Sequence, residues 1–432
     1  MLNLRLIAAG VLAKVIKDGQ SLTVALEHAF ESVEDTKDRA FIQALCYGVI
    51  RQYHRLDFIL QQLLSKPLRN KDSDIKMLLL MGLYQLKYMR VKSHAAVSET
   101  VKAASKKSWA KSLLNGVLRQ YIREQESFED KADQQSWSLN SHPQWLVDRI
   151  KTDWPEQAMT VLQENNQHPP MVLRVNLKQT SQQAYLKLLN EHSIQANPVS
   201  FCSSAIVLEQ AVAVEKLPGF SVGMVSVQDT AAQLAAELLE VKAGHTVLDL
   251  CAAPGGKTAA ILERQTETLS MWAVDIDEKR LQRVTENLQR LKLQAKVLVG
   301  DAANPGEWIQ QGQTFDRILI DAPCSALGVI RRHPDIKVLR RESDISALQA
   351  IQQQILSAAW ELLVPSGILL YATCSILKQE NEQQIEMFLK SHADATELSI
   401  TGDWGTKTAF GRQVLTGDSG MDGFYYAKLV KH

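Results

Sequence analysis

The sequence predicts a multidomain protein: an all-α N-terminal domain, a small α+β middle domain, and a C-terminal α/β domain with a doubly wound, Rossmann-like sheet. Three observations carry this expectation. Helical periodicity without strand-like alternation fills the chain up to about residue 125, and a short helix–strand–helix–strand alternation follows. From Gln228 onward, five apolar runs alternate with helix-like segments, the pattern of a parallel sheet wound on both faces. The expected domains are residues 1–136, 137–227 and 228–432.

In the first domain, Leu4, Ile7, Ala8, Val11, Leu12 and Val15 keep the helical repeat behind a cap at Asn3, and Phe41, Leu45 and Val49 continue it. SDIKMLLLMGLYQL and KSLLNGVLRQYI repeat the pattern, and the charged, Gln-rich EQESFEDKADQQS reads as a linker. The middle domain offers a helix in HPQWLVDRIKTDW, a strand in MVLRVN, a helix in SQQAYLKLLNEH and a strand in AIVLE. In the third, HTVLDL, MWAVDI, AKVLVG, RILI and GILLYA are the strands, separated by helices such as EKRLQRVTENLQRL and ISALQAIQQQILSAAWELL. Right-handed crossovers would bring Asp249, Asp275, Asp301, Asp321 and Cys374 to one edge of that sheet.

With 432 residues, 45% hydrophobic and 22% charged, the chain can bury two or three cores and is not disordered. Its cysteines, Cys46, Cys202, Cys251, Cys324 and Cys374, include no CxxC or other zinc-ligand spacing, so neither a metal site nor a disulfide framework is expected. LIAAGVLA is interrupted by Lys14, Lys17 and Asp18, which suits neither a spanning helix nor a signal peptide. A soluble, cytoplasmic, monomeric protein is expected. The formal net charge of zero conceals an asymmetry: Met1 to Gln125 holds 20 Lys and Arg against 11 Asp and Glu. Between Lys76 and Arg123 ten basic residues meet one acidic residue, Glu99, which makes nucleic acid a candidate partner.

The chemistry gathers in the third domain. The first strand runs into CAAPGGKT, whose small residues and paired Gly255 and Gly256 let backbone approach a ligand ahead of a helix N-terminus. A Walker A loop shares Gly256, Lys257 and Thr258 but needs glycine where Cys251 stands, and GxGxxG is absent. Asp275 ends the second strand, where a carboxylate can accept hydrogen bonds from a ribose diol. Four aspartates about one cleft suit a cationic, ribose-bearing ligand such as S-adenosylmethionine, with Lys257 pairing into the cluster. Singly, each aspartate could cap a turn, the commoner role at a strand end. Cys324, in DAPCSALGVIRRHP, and Cys374 each follow a strand end, where either could be a nucleophile or a buried small hydrophobe.

CAAPGGKT, VDID, GDA, DAPCSALGVIRRHPDIK, YATCSI and DGFYYAKL together resemble the Nop2/Sun/Fmu family of RNA cytosine-C5 methyltransferases, and HAAVSETV and SLLNGVLR resemble the RNA-binding NusB-like domain. The likeness covers nearly the whole chain and extends to the bacterial branch that modifies 16S ribosomal RNA. It implies that Cys251, Ala252, Ala253, Pro254, Gly255, Gly256 and Lys257 form the S-adenosylmethionine loop, that Asp275 holds the ribose, and that Asp301 lies by the adenine. It further implies that Asp321 reaches the reacting centre, that Cys374 of the TCS element attacks the base, and that Cys324 releases the product. DNA cytosine methyltransferases carry their nucleophile in a PC element, so the residues alone leave the two thiols interchangeable. Ala326-Leu327 departs from the family, where Gly or Thr is common. Lys106, Lys107, Lys111, Arg119 and Arg123, with Arg331, Arg332 and His333, are the candidates for RNA phosphate. The rival reading is a non-catalytic RNA-binding or antitermination factor that retains the methyltransferase fold.

Overall fold

A computed structural model describes residues 3–104, 107–265 and 269–432. The chain forms two compact units, Met1–Gln167 with Ile330–Glu342, and His168–Val329 with Ser343–His432. The expected boundaries at 136/137 and 227/228 thus fall inside units.

The described part of the first unit is helical: α1 (Leu4–Asp18), α2 (Leu22–Phe30), α3 (Thr36–Arg51), α4 (Tyr53–Leu63), α5 (Ser73–Tyr88), α6 (Ser93–Ala103), α7 (Ser108–Arg123), α8 (Gln125–Asp133), α9 (Ser136–Leu139), α10 (Gln144–Asp153) and α11 (Ala158–Glu164). Asn3 caps α1 by accepting the Leu6 N–H, and Gly19 ends it at φ 71°. Leu12, Val15, Leu45, Leu80 and Leu118 sit in one core.

The expected linker is instead α8, which buries Phe128 and Ala132. Glu129 on that helix accepts from Arg55 Nε at 3.0 Å, from the Tyr121 hydroxyl at 2.6 Å, and from Lys87. Its partners lie on other helices, so local composition mistook a neutralised, packed helix for a solvated connection.

The detour Ile330–Glu342 belongs to this unit through a short helix, Ile336–Leu339, whose Val338 and Leu339 pack on the same core. Asp335 Oδ2 accepts the Leu22 N–H at 2.9 Å. The buried Lys337 ammonium donates to Arg51 O at 2.6 Å, Ser141 O at 2.8 Å and Asn166 Oδ1 at 2.7 Å.

The second unit holds two sheets. The smaller is antiparallel, with β1 (Val172–Val175), β2 (Ala196–Pro198), β3 (Ala205–Leu208) and β4 (Val225–Val227) in the order β2-β3-β1-β4, carrying the expected helix Gln182–Glu191. The larger contains β5 (Thr246–Leu250), β6 (Ser270–Asp275), β7 (Lys296–Val299), β8 (Phe315–Asp321), β9 (Leu363–Thr373), β10 (Ala395–Leu398), β11 (Thr406–Lys407), β12 (Arg412–Val414) and β13 (Phe424–Lys431). Its order is β11-β12-β13-β9-β8-β5-β6-β7, with β10 beside β13. The five strands read from the sequence are β5 to β9, and all pair in parallel. β13 adds an antiparallel neighbour to β9, so the sheet is mixed. Strand order reverses between β5 and β8, which is where open α/β sheets bind ligands.

Among the described residues no helix is long and apolar enough to cross a membrane, and no group of three or more His, Cys, Asp or Glu could hold a metal ion.

Candidate active site

The loop after β5 is built by backbone constraint. Cys251 and Gly255 adopt φ 60° and 92°, and the helix Gly256–Glu263 follows at once. A Cβ at Gly255 would combine that strained φ with a 3.0 Å approach to Val284 Cγ1, so glycine is required there. Neighbouring elements then clamp the loop. The Ala253 N–H donates to Asp275 Oδ2 at 3.0 Å, Arg280 Nη2 to Ala253 O at 2.7 Å, and Arg174 Nη1 of the smaller sheet to Gly256 O at 2.6 Å.

The carboxylates occupy unlike environments. Asp249 is fully buried; Thr258 Oγ1 donates to its Oδ2 at 2.5 Å, and its Oδ1 has no hydrogen-bond partner among the described residues. Burial, against the Thr258 hydrogen bond and with Asp321 adding its charge, raises the Asp249 pKa to about 7. Asp275 is 2% exposed, and its Oδ1 accepts the Asp277 N–H at 3.0 Å, leaving each oxygen a second lone pair. Asp301 closes a turn, accepting from the Ala303 N–H at 2.9 Å and Asn304 Nδ2 at 2.7 Å. Asp321 accepts from Lys257 Nζ at 2.6 Å, and that ammonium lies 4.8 Å from the Phe424 ring centroid. Lys257 is therefore engaged with a carboxylate and Thr258 with another, which is the opposite of a phosphate cradle.

β8 and β9 are adjacent, with Asp321 opposite Ala372, so the turns that follow them run side by side. Cys324 Sγ and Cys374 Sγ stand 3.5 Å apart. The turns are joined directly: the Gly328 N–H donates to Cys374 O at 2.9 Å and the Gly423 N–H to Gly328 O at 2.8 Å. Ala326 has φ 60°, in the left-handed region that favours glycine.

The thiols interact with each other and with nearby charges. Burial pulls the Lys257 ammonium pKa down, but Asp321, then Cys374 and Asp249, hold it above its ordinary value, so a cation is kept beside Cys374. The hydrogen bond to Cys374, burial, the Cys374 charge and the Glu380 carboxylate together push the Cys324 thiol well up. Cys251 is also pushed up, by burial and then by Asp275, Asp321 and Asp249, and is a protonated thiol. Cys46 and Cys202 are buried small residues.

The basic candidates do not share one fate. Lys106 lies outside the described residues. Lys107 is paired with Asp74 at 2.7 Å and Asp72 at 3.2 Å. Lys111, Arg119 and Arg123 are exposed along α7 at spacings of eight and four, and Trp109, 48% exposed, is on the same helix. His333 is exposed and Arg332 half-buried. Arg331 is a correction: at 2% exposure, with its carbonyl accepting from Arg51 Nη2 at 2.7 Å and its guanidinium 3.9 Å from Glu164, it is packed in the first unit and is no phosphate contact. Sequence reasoning also overlooked Glu380, Gln352, Ser325 and Ser375, although a serine directly after each cysteine was a visible signal.

A doubly wound sheet with a small-residue loop at its switch point, ringed by carboxylates, defines an S-adenosyl-L-methionine-dependent methyltransferase of the Rossmann-like class. Residues 236–430 match the 16S rRNA methyltransferase RsmB/F family, residues 142–215 the RsmF/B-like ferredoxin-like domain, and residues 2–123 the NusB family. The chain is 50% identical over 432 residues to the ribosomal RNA small subunit methyltransferase B of Yersinia enterocolitica, covering 99% of both chains. It is 50% identical over 436 residues to that of Erwinia tasmaniensis, covering 100% of this chain and 99% of the other. A solved methyltransferase homologue from Pyrococcus horikoshii shares 28% identity at a TM-score of 0.60, over 68% of this chain and 97% of that one. The chain belongs to the 16S rRNA methyltransferase RsmB/F family.

Proposed function

We propose that the protein methylates C5 of a cytosine in 16S ribosomal RNA through a covalent bond between Cys374 and C6 of the base. The observation that carries this reading is the pair of thiols 3.5 Å apart at adjacent strand ends, beside the Lys257–Asp321 pair. The cofactor's electrophilic methyl group, supplied when it is bound, needs a nucleophilic carbon as its partner, and C5 of cytosine is not nucleophilic unaided. The residues fit S-adenosylmethionine. Asp249 Oδ1 is a buried acceptor without a partner among the described residues, Asp275 keeps two lone pairs for a ribose diol, and the adjoining Ile276, 68% exposed, offers an apolar face. Cys251 to Lys257, with Asp301, complete the set assigned to the cofactor.

Each side chain has a task. Lys257 stabilises the Cys374 thiolate, which attacks C6 and makes C5 an enamine carbon. Asp321, as a carboxylic acid with a proton taken from water, donates a hydrogen bond to N3 and drains charge from the ring, and that proton returns to water when the product forms, while Lys257 stays an ammonium. Bonded to C6, the Cys374 sulfur no longer carries charge, so one of the causes holding Cys324 protonated, the Cys374 charge, disappears. Cys324 then loses its proton to water, takes the C5 proton, and the returning electron pair restores C5=C6 as Cys374 leaves. The cytosine must be unpaired or flipped to reach this edge.

Transfer of labelled methyl to 16S rRNA but not to DNA, with bisulfite-resistant cytosine appearing at one position, is the expected result. A retained fold acting only as an RNA-binding or antitermination factor would bind RNA without labelling it.

RNA anchoring is assigned to the exposed face of α7. Reversing Lys111, Arg119 and Arg123 to glutamate should weaken RNA binding and lower the salt dependence by roughly 0.7 in slope per lost single-strand phosphate contact. Filter binding across a salt series measures it, and an unchanged slope would show that this face merely meets solvent. Reversing Lys107 instead would break its pairs with Asp72 and Asp74 and act through stability.

A further inference from the structure

The two cysteines are each followed by a serine, and the serines meet as the cysteines do: Ser325 Oγ and Ser375 Oγ lie 3.1 Å apart. Both converge on one carboxylate. Glu380 is wholly buried, and its Oε1 accepts the Ser325 N–H at 2.8 Å and Gln352 Nε2 at 3.1 Å, while its Oε2 accepts both serine hydroxyls. Gln352 Nε2 also donates to Pro323 O at 3.0 Å, so the turn carrying Cys324 is gripped on both sides of the thiol. On the other turn, the neighbouring Asn381 donates to Ser375 O at 3.0 Å and accepts from Thr373 Oγ1 at 2.6 Å.

Burying a carboxylate is costly unless several donors satisfy it, and four donors do so here. The donors come from both cysteine turns and from the helix Ser343–Glu361, so the charge is surrounded by the machinery rather than by the apolar core. We propose that Glu380 is a positioning residue of the reaction: its carboxylate ties the two Cys–Ser turns together, sets the separation of the thiols, and places a negative charge on the Cys324 side of the pair, opposite Lys257. This rests on the two-thiol reading above. An amide in its place keeps the shape but loses the charge and one acceptor, whereas alanine releases both turns.

The experiment compares wild type with Glu380→Gln, Glu380→Ala and Ser325→Ala at equal folded concentration, using single-turnover methylation, KM for cofactor and RNA, and iodoacetamide labelling of Cys374 and Cys324 resolved by peptide mass. Glu380→Gln should keep both KM values within about twofold while the chemical rate drops by about tenfold or more. The labelling ratio of Cys324 to Cys374 should rise by roughly tenfold as the charge that opposes Cys324 ionisation is removed. Ser325→Ala, which keeps the backbone arm and the charge, should slow the reaction less and leave the ratio near wild type. Wild-type rate and wild-type ratio in Glu380→Gln would reduce Glu380 to a structural group. If Glu380→Ala does not fold, the isosteric glutamine variant still decides. RNA carrying 5-fluorocytosine tests the underlying reading separately, because fluorine cannot leave C5 as a cation and the adduct should persist. Wild type failing to capture that RNA would overturn the covalent reading, while the labelling ratio would still report whether Glu380 controls the thiols.

Discussion

Cys374→Ser is expected to abolish turnover and covalent RNA capture together, and Cys324→Ser to accumulate an enzyme–RNA adduct. Serine's hydroxyl, beside Lys257 but without a base, is far too little ionised to replace a thiolate, so a loss on the order of 10³-fold or more in rate is expected. Cys324→Ser leaves Cys374 next to its cation, and attack and methyl transfer proceed. The slow step becomes loss of the C5 proton, because serine cannot take over once Cys374 has bonded to carbon. A band that survives denaturing electrophoresis and vanishes with RNase should mark this variant alone when methyl donor is present. Trapping by Cys374→Ser instead would exchange the roles, and full activity in both variants would return the thiols to simple packing. The assignment of roles rests on the family resemblance, and this pair of variants is its direct test.

The strand-end residues were legible because parallel βα units impose them. An apolar run followed by Asp or Cys has one geometric reading once crossovers are right-handed, and Asp249, Asp275, Asp321 and Cys374 stand at or beside the ends of β5, β6, β8 and β9 accordingly. The pairing of Lys257 into the carboxylates was readable for a related reason, since several anions about one cleft need a counter-charge. Glu380 was not readable: it lies 55 residues from Ser325, and only the folded chain brings the turns together. Arg331 misled in the same way. Three basic residues in a row look like a phosphate contact, but the run belongs to a detour folded into the helical unit, where Arg331 is buried. α8 was misread because composition reports solvation only when charges lack partners, and Glu129 has three.

That detour gives the second large effect. Lys337→Met should destabilise the helical unit by about 3–5 kcal/mol, the usual cost of removing one member of a buried polar cluster. Relief of the buried charge acts in the opposite direction, and an apolar replacement of all partners could be neutral. Two of the three acceptors, however, are backbone carbonyls that no side-chain change removes, Arg51 O and Ser141 O, and the first belongs to the last residue of α3, where a cation is favoured by the helix dipole. Left dry and unpaired, each costs about 1–3 kcal/mol, so loss of the donor outweighs relief of the charge. The variant also changes the pH dependence. Burial, then repulsion from Arg51, holds the Lys337 pKa well below its ordinary 10.5, so the folded state binds fewer protons and wild-type stability rises as pH climbs from the folded pKa towards 10.5. That rise should be missing in Lys337→Met. Burial, then Lys337, likewise lowers the His54 pKa from 6.5 to about 4, a depressed value whose stabilisation is lost as pH falls through that window. Removing the lysine charge should narrow this window and make the variant less sensitive to acid than wild type between about pH 6.5 and 4. Urea unfolding followed on the helical unit across pH measures all three effects. An unchanged midpoint at neutral pH would show that water or another donor reaches Arg51 O and Ser141 O when Lys337 is gone.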